Sequence, residues 1–166
     1  MVGLNVGWGW ARVEGAEQGA SFITDHESAL AGGLRLGWAK NEFLLYSLEF
    51  SGWDKNWDYY GTTNELTIFT GTVSLTWFPG GQGLFVRGGL GWGSLEVKFR
   101  TVPQFTVFKE ASWAFTVGLG YEWRLGEDFA IGAAYDFRYL PIGDFEIFTN
   151  VKGYNSNVTV NLNWYL

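Results

Sequence analysis

Apolar residues alternate with small or polar ones along most of the chain. Val2, Leu4, Val6, Trp8 and Trp10 interleave with Gly3, Asn5, Gly7, Gly9 and Ala11. The same period of two runs through 29–38, 44–51, 69–77, 84–92, 113–123, 129–139 and 158–166. A period of two places every second side chain on one face of a strand, so these segments predict eight strands, each with one apolar face. The phase slips near Gly93, where Leu95, Val97 and Phe99 fall out of step with Leu84, Val86, Leu90 and Trp92. A β-bulge is the simplest expectation there.

The connections also alternate. Tight turns are expected at 40–42, 79–83 and 125–128, and long loops at 15–27, 54–64, 101–110 and 142–154. An even number of strands, with short turns at one end and long loops at the other, predicts an all-β, eight-stranded, antiparallel up-and-down transmembrane β-barrel. It would form one domain over 1–166, with no linker or low-complexity run. Because Val2 to Trp10 already reads as a strand, no leader segment is expected before the fold. A helical membrane protein is excluded, since no stretch approaches the roughly 18 unbroken apolar residues a spanning helix needs.

Composition decides which face points out. Aromatics are 19% of the chain and charged residues only 17%, below the roughly 25% of a soluble domain. An eight-stranded barrel has an interior just wide enough for side chains to fill, so the aromatic face cannot all lie inside. The opposite face is mostly Gly, Ala, Ser and Thr and would make a poor soluble surface. The aromatic face is therefore expected to meet lipid and the small polar face to line the lumen. The net charge of −6 argues against nucleic acid as a partner. The absence of cysteine excludes disulfides and thiolate metal sites.

Aromatic position agrees with this reading. Trp38, Trp77, Trp123, Phe129 and Trp164 lie beside the short turns, whereas Trp10, Trp53, Trp57, Phe99, Trp113 and Tyr139 lie towards the long loops. Two such rings are what amphipathic aromatics form at the two interfaces of a bilayer. On the inner face fall Arg35, Glu49, Arg87, Glu122, Asp136 and Arg138, three basic and three acidic. Charges in a narrow lumen are costly unless paired, so a salt-bridged plug is favoured over a polar constriction of a pore. Arg87 and Arg35 are expected to face Glu122 and Glu49. The inward glycines suit tight curvature, or alternatively a cavity for water or an acyl chain.

The end of the chain, Val158-Thr-Val-Asn-Leu-Asn-Trp-Tyr-Leu166, resembles the C-terminal signal of bacterial outer-membrane barrels. Residues 133–144 are similar to the penultimate strand and loop of the small OmpX/OmpA-like outer-membrane family. The resemblance implies that Leu162, Trp164 and Leu166 are read by the barrel-assembly machinery. It also implies a bacterial outer-membrane location with both termini periplasmic. Outer-membrane lipid and lipopolysaccharide are the expected partners, with Lys55, Lys98, Arg100 and Lys109 near the outer rim, and a monomer is expected.

Chemistry beyond this is sparse. His26 is the sole histidine, and His26-Glu27-Ser28 resembles the His-x-Ser pair of outer-membrane lipid A deacylases. In that family the pair lies on a late strand, where residues 135–138 here have neither His nor Ser. A rim histidine is the plainer reading. Trp53-Asp-Lys-Asn-Trp-Asp-Tyr-Tyr60 could stack on sugars or extend the aromatic ring. No phosphate-binding loop, dinucleotide fingerprint or zinc spacing occurs, so no cofactor, metal site or catalytic residue is expected. The reading is a structural or surface-presenting barrel. The alternative is a narrow channel for water, ions or small solutes, with a lipid-A-modifying enzyme a distant third.

Overall fold

Alternation makes every long segment a strand, and in a computed structural model the strands close on themselves. The structure describes residues 1–17, 20–23, 27–59, 62–81, 83–101, 104–145 and 148–166. The strands are β1 (Val2–Glu17), β2 (Ala20–Ile23), β3 (Glu27–Ala39), β4 (Leu44–Tyr59), β5 (Thr62–Trp77), β6 (Leu84–Thr101), β7 (Gln104–Arg124), β8 (Phe129–Phe145) and β9 (Phe148–Trp164). Each long strand pairs antiparallel with its neighbour, and β1 pairs with β9 to close the ring. The short β2 folds back on the end of β1 and adds no stave to the barrel. Closure leaves no ladder edge through the belt of apolar outer residues, as hydrocarbon requires.

The barrel is sheared. A row of paired residues leaves β8 at Phe129 and passes through Trp164, Val2, Leu36, Leu48, Val73, Leu90 and Phe115. It returns to β8 at Tyr139. That climb means the strands tilt around the axis. The short turns have local causes. Asn41 Oδ1 accepts from the backbone N–H of Phe43 and Leu44, at 3.0 and 2.9 Å. Gly81 and Gly83 sit at positive φ, which the absence of Cβ permits.

Two expectations are corrected. The segments 15–27, 54–64, 101–110 and 142–154 are mostly continued strand rather than long loops. For example, β4 runs to Tyr59 and β5 starts at Thr62. No bulge occurs at Gly93, because β6 holds an unbroken register with β5 and β7 across it. The register shifts instead lie between Glu14 and Ala16 in β1 against β9, and around Gly143 in β8.

With the register intact, the phase slip has a different physical meaning. Below Gly93, Leu84, Val86, Leu90 and Trp92 of β6 point outward, with Phe85 alone turned in, whereas Leu95 beyond it points inward and is buried. Leu66 and Ile68 of β5 do the same above Phe69. The outer positions become polar at that height: Glu65, Thr67, Glu96 and Lys98. The barrel therefore changes from apolar-outside to apolar-inside partway up. Burying those inner residues against one another is what keeps the upper chain in strands.

The upper part also divides. Among the described residues, β4 pairs with β3 no higher than Trp53, and β7 pairs with β8 no higher than Phe115. Above those points β4–β7 form one sheet, and β8, β9, β1, the upper end of β3 and β2 form the other. Side chains join the two. Lys55 Nζ donates to Ser28 O at 3.1 Å, and Ser112 Oγ donates to Pro141 O.

Candidate functional site

The lumen is stacked in three layers. The upper layer is apolar: Trp53, Leu66, Ile68, Leu95, Leu140 and Val151 pack with Ala11, Val13, Ala29, Ala31 and Ala114. Trp53 is 2% exposed, and its Nε1 reaches past β3 to donate to Gly9 O of β1 at 3.1 Å. This corrects its assignment to the lipid-facing ring. The outward positions of β4 are Tyr46, Leu48 and Phe50, so Trp53 is on the opposite parity and must face in. Gly9 makes room for it, since a Cβ there would stand 2.8 Å from the indole Cδ1.

The middle layer is charged. Arg35 Nε lies 2.7 Å from Glu49 Oε1, and Arg87 Nη1 lies 3.4 Å from the same oxygen. Arg87 Nη2 also pairs with Asp136 Oδ1, so Arg87 bridges two carboxylates. Arg138 Nη1 donates to Asn155 Oδ1 at 3.3 Å. All five charged residues are buried. Arg35 and Arg87 thus share Glu49, and the expected partnership with Glu122 is replaced. Glu122 sits lower and accepts from Asn163 Nδ2 and Tyr165 OH, both at 2.6 Å. Two neutral donors hold that carboxylate.

The lower layer is apolar again: Leu45, Phe78, Phe85 and Ala134, with Met1 and Tyr165 packed against them. Phe85 lies against Arg87, whose guanidinium carbon is 5.6 Å from the ring centroid. Side chains fill the space above several inward glycines; a Cβ on Gly120 would strike the Phe85 ring. The lumen is thus a charged slab between two apolar stoppers. Neither stopper nor the Asn155, Asn157, Asn161, Asn163 row was singled out from sequence. The inverted phase of Leu66, Ile68 and Leu95 carried the first signal, and asparagines spaced by two on β9 carried the second.

The outer wall carries exposed Trp38, Trp77, Trp123 and Trp164 near the short turns, and Trp10, Trp92 and Trp113 at the other rim. Trp92 and Trp113 stack, with centroids 4.7 Å apart. The side chains of Trp57 and Phe99, and His26 as a whole, lie outside the described residues. Among the described residues no cluster of His, Asp and Glu is arranged to hold a metal.

No protein-family model matches the chain, and no curated protein sequence does either. Solved structures do. Ail, the attachment invasion locus protein of Yersinia pestis, superposes with a TM-score of 0.69 in its complex with the heparin analogue sucrose octasulfate. The match is 16% identical and covers 97% of this chain and 96% of that one. Neisserial surface protein A matches with a TM-score of 0.56 at 15% identity, covering 96% of each chain. The fold is that of the small outer-membrane β-barrels.

In an outer-membrane barrel the two tryptophan rings mark the interfaces, and the wall between them meets hydrocarbon. Leu162 is on the lumen-side ladder row of neither stopper; it pairs with Leu4 and Ile131. Trp164 is exposed on the outer wall, and Leu166 is fully exposed beyond it. A linked group of outward charges lies above the upper ring. Lys98 Nζ is 2.6 Å from Glu65 and 3.0 Å from Glu96, and Lys109 reaches Glu96 at 3.3 Å. The hydrogen bond from Lys98 is the main cause that holds the Glu96 carboxyl below its ordinary range. The hydrogen bonds to Glu65 and Glu96 raise Lys98 in turn. Asp54 runs the other way, raised first by burial and then by Glu65.

Proposed function

We propose that this outer-membrane barrel is a structural, surface-presenting protein whose lumen is closed to bulk solutes. Both termini would be periplasmic, since the short turns share their end of the barrel. The observation that carries the proposal is the upper stopper, in which the buried Trp53 reaches past β3 to Gly9 with Ile68, Leu95 and Leu140 packed in the same cluster. Beneath it, the Arg35–Glu49–Arg87–Asp136 chain ties four strands together across the axis. The sheets that rise above the outer ring are the part available to the exterior. The name of the Yersinia pestis neighbour, an attachment protein, supports a surface role. Outer-leaflet lipid and lipopolysaccharide would surround the wall, and the assembly machinery would read Leu162, Trp164 and Leu166. The proposal assigns the chain no catalysis and treats it as a monomer.

A second reading, a narrow path for water or ions, draws on one observation. The hydroxyls of Thr76, Thr116 and Thr159 and the amide nitrogen of Asn161 are buried in the lumen without hydrogen-bond partners. Buried polar groups of that kind are normally satisfied by protein or by ordered water. Single-channel recording of the refolded protein in a planar bilayer separates the two readings. Silence with folded protein confirmed in the membrane is expected. Discrete, reproducible steps would overturn the closed-lumen proposal in favour of the path.

A further inference from the structure

On the outer wall, where β1, β9 and β8 run side by side, the side chains leave a cleft of about 370 Å³. Trp10, Arg12, Glu14, Phe137, Tyr154 and Ser156 line it. The ladder explains its shape. Trp10, Ser156 and Phe137 lie in one row across the three strands, so the small Ser156 leaves a gap between two aromatic walls. Arg12 and Tyr154 lie in the next row up, and Glu14 lies above them. The polar end is organised: Arg12 pairs with Glu14, and Tyr154 OH donates to Glu14 Oε2 at 3.4 Å. At the floor, Tyr135 OH donates to Ser156 Oγ at 3.1 Å.

The Arg12–Glu14 ion pair is open on one side. The two side chains remain 34% and 30% exposed, so each keeps hydrogen-bonding positions turned towards the cleft. Covering such groups without giving them polar partners costs free energy.

The lining selects the ligand class. A bare hydrocarbon chain would suit the aromatic walls but would strip water from the Arg12–Glu14 pair. A simple anion would suit Arg12 but would meet the Glu14 carboxylate. A pyranose ring suits both. Its C–H face lies on an aromatic wall. Its hydroxyls donate to Glu14 and accept from Arg12 and Ser156. The cleft also lies at the height of Trp10, where the outer interface holds headgroups. A volume of this size is that of an ordinary small-molecule site.

We infer that this cleft holds a sugar ring of an outer-leaflet glycolipid, such as the acylated, phosphorylated glucosamine disaccharide of lipid A. The inference rests on the proposed outer-membrane location, which sets the height of the cleft against the lipid.

The test uses the full chain refolded into phosphatidylcholine bilayers doped with equal amounts of lipid A and phosphatidylglycerol, with retained lipid per chain read by native mass spectrometry. Wild type is expected to retain lipid A in preference to phosphatidylglycerol. Arg12→Ala, which removes the hydrogen-bonding fork, is expected to reduce retention about tenfold, and so is Ser156→Trp, which fills the gap. Folding of each variant is checked by its shift in gel mobility on heating. If Ser156→Trp does not fold, Tyr154→Ala replaces it with the same expectation. Equal retention by wild type and variants overturns the inference. Phosphatidylglycerol retained as well as lipid A overturns it too, because the site would then read negative charge alone. Displacement of lipid A by the free glucosamine disaccharide at equal concentration overturns the assignment to a lipid. Flotation of vesicles tests the underlying location separately. Wild type that floats with vesicles yet retains no lipid A defeats the cleft alone, whereas protein that does not enter them defeats the reading beneath it.

Discussion

Glu49 carries two guanidinium groups on one carboxylate oxygen. Removing its charge leaves Arg35 buried with no carboxylate, while Arg87 keeps Asp136. Breaking a buried pair on one side leaves an uncompensated charge, so Glu49→Gln is expected to cost about 3–5 kcal/mol in a urea titration of the refolded barrel. Trp53→Ala empties the largest side chain of the upper stopper and is expected to cost about 3–5 kcal/mol in the same titration. Trp53→Phe should cost less, losing mainly the hydrogen bond to Gly9. The identities of the buried charges were legible in the sequence because alternation alone puts them on the inner face. Their partners were not, because shear decides which residues meet across the axis. That is how Arg87 comes to face Asp136 and Glu49, and Glu122 is left to Asn163 and Tyr165. Trp53 was misread for another reason. Its residue type suggested the interface, while its parity with Ser47, Glu49 and Ser51 already pointed inward.

At the scale of the element, β6 carries the most information. Its register is continuous, yet its apolar residues change face at Gly93. A bulge also changes face, so pattern alone did not separate the two accounts; unbroken pairing with both neighbours does. The same change of face on β5 turns a predicted loop into strand. Above it, the Glu65–Lys98–Glu96–Lys109 chain laces β5, β6 and β7 on the outside, and this predicts a pH dependence. The Glu96 carboxyl lies below its ordinary value when folded, so its contribution is full above that ordinary value. It is lost as pH falls through the lowered one. Lys98 lies above its ordinary value, so its contribution is full below that value and fades only as pH rises through the raised one. Asp54 partly opposes this, since a raised carboxyl favours the folded state under acid. Amide protection factors over 93–101, with the intrinsic pH dependence of exchange divided out, are therefore expected to fall as pH drops from neutral through the Glu96 titration, and Glu96→Gln should flatten that acid limb. An exchange profile unchanged by that substitution would remove the ion chain from the account.

For the whole molecule, closure, strand number and the apolar outer wall follow from alternation and composition together. Period two supplies the staves, and the bulk of the aromatic face decides which side meets lipid. Height was harder to read, because it depends on where each strand changes solvent, and only two of the four upper segments show that change plainly in their residues. The change of face at Gly93 has a mechanical consequence. It acts as a waterline drawn on the protein itself. Sinking the barrel by one pair of residues would carry Glu96 towards hydrocarbon, and lifting it would bring Trp92 and Phe69 into water. Both moves are penalised, so the molecule has little freedom to ride up or down. In a membrane of the wrong thickness it is the lipid that must stretch or thin to meet the barrel.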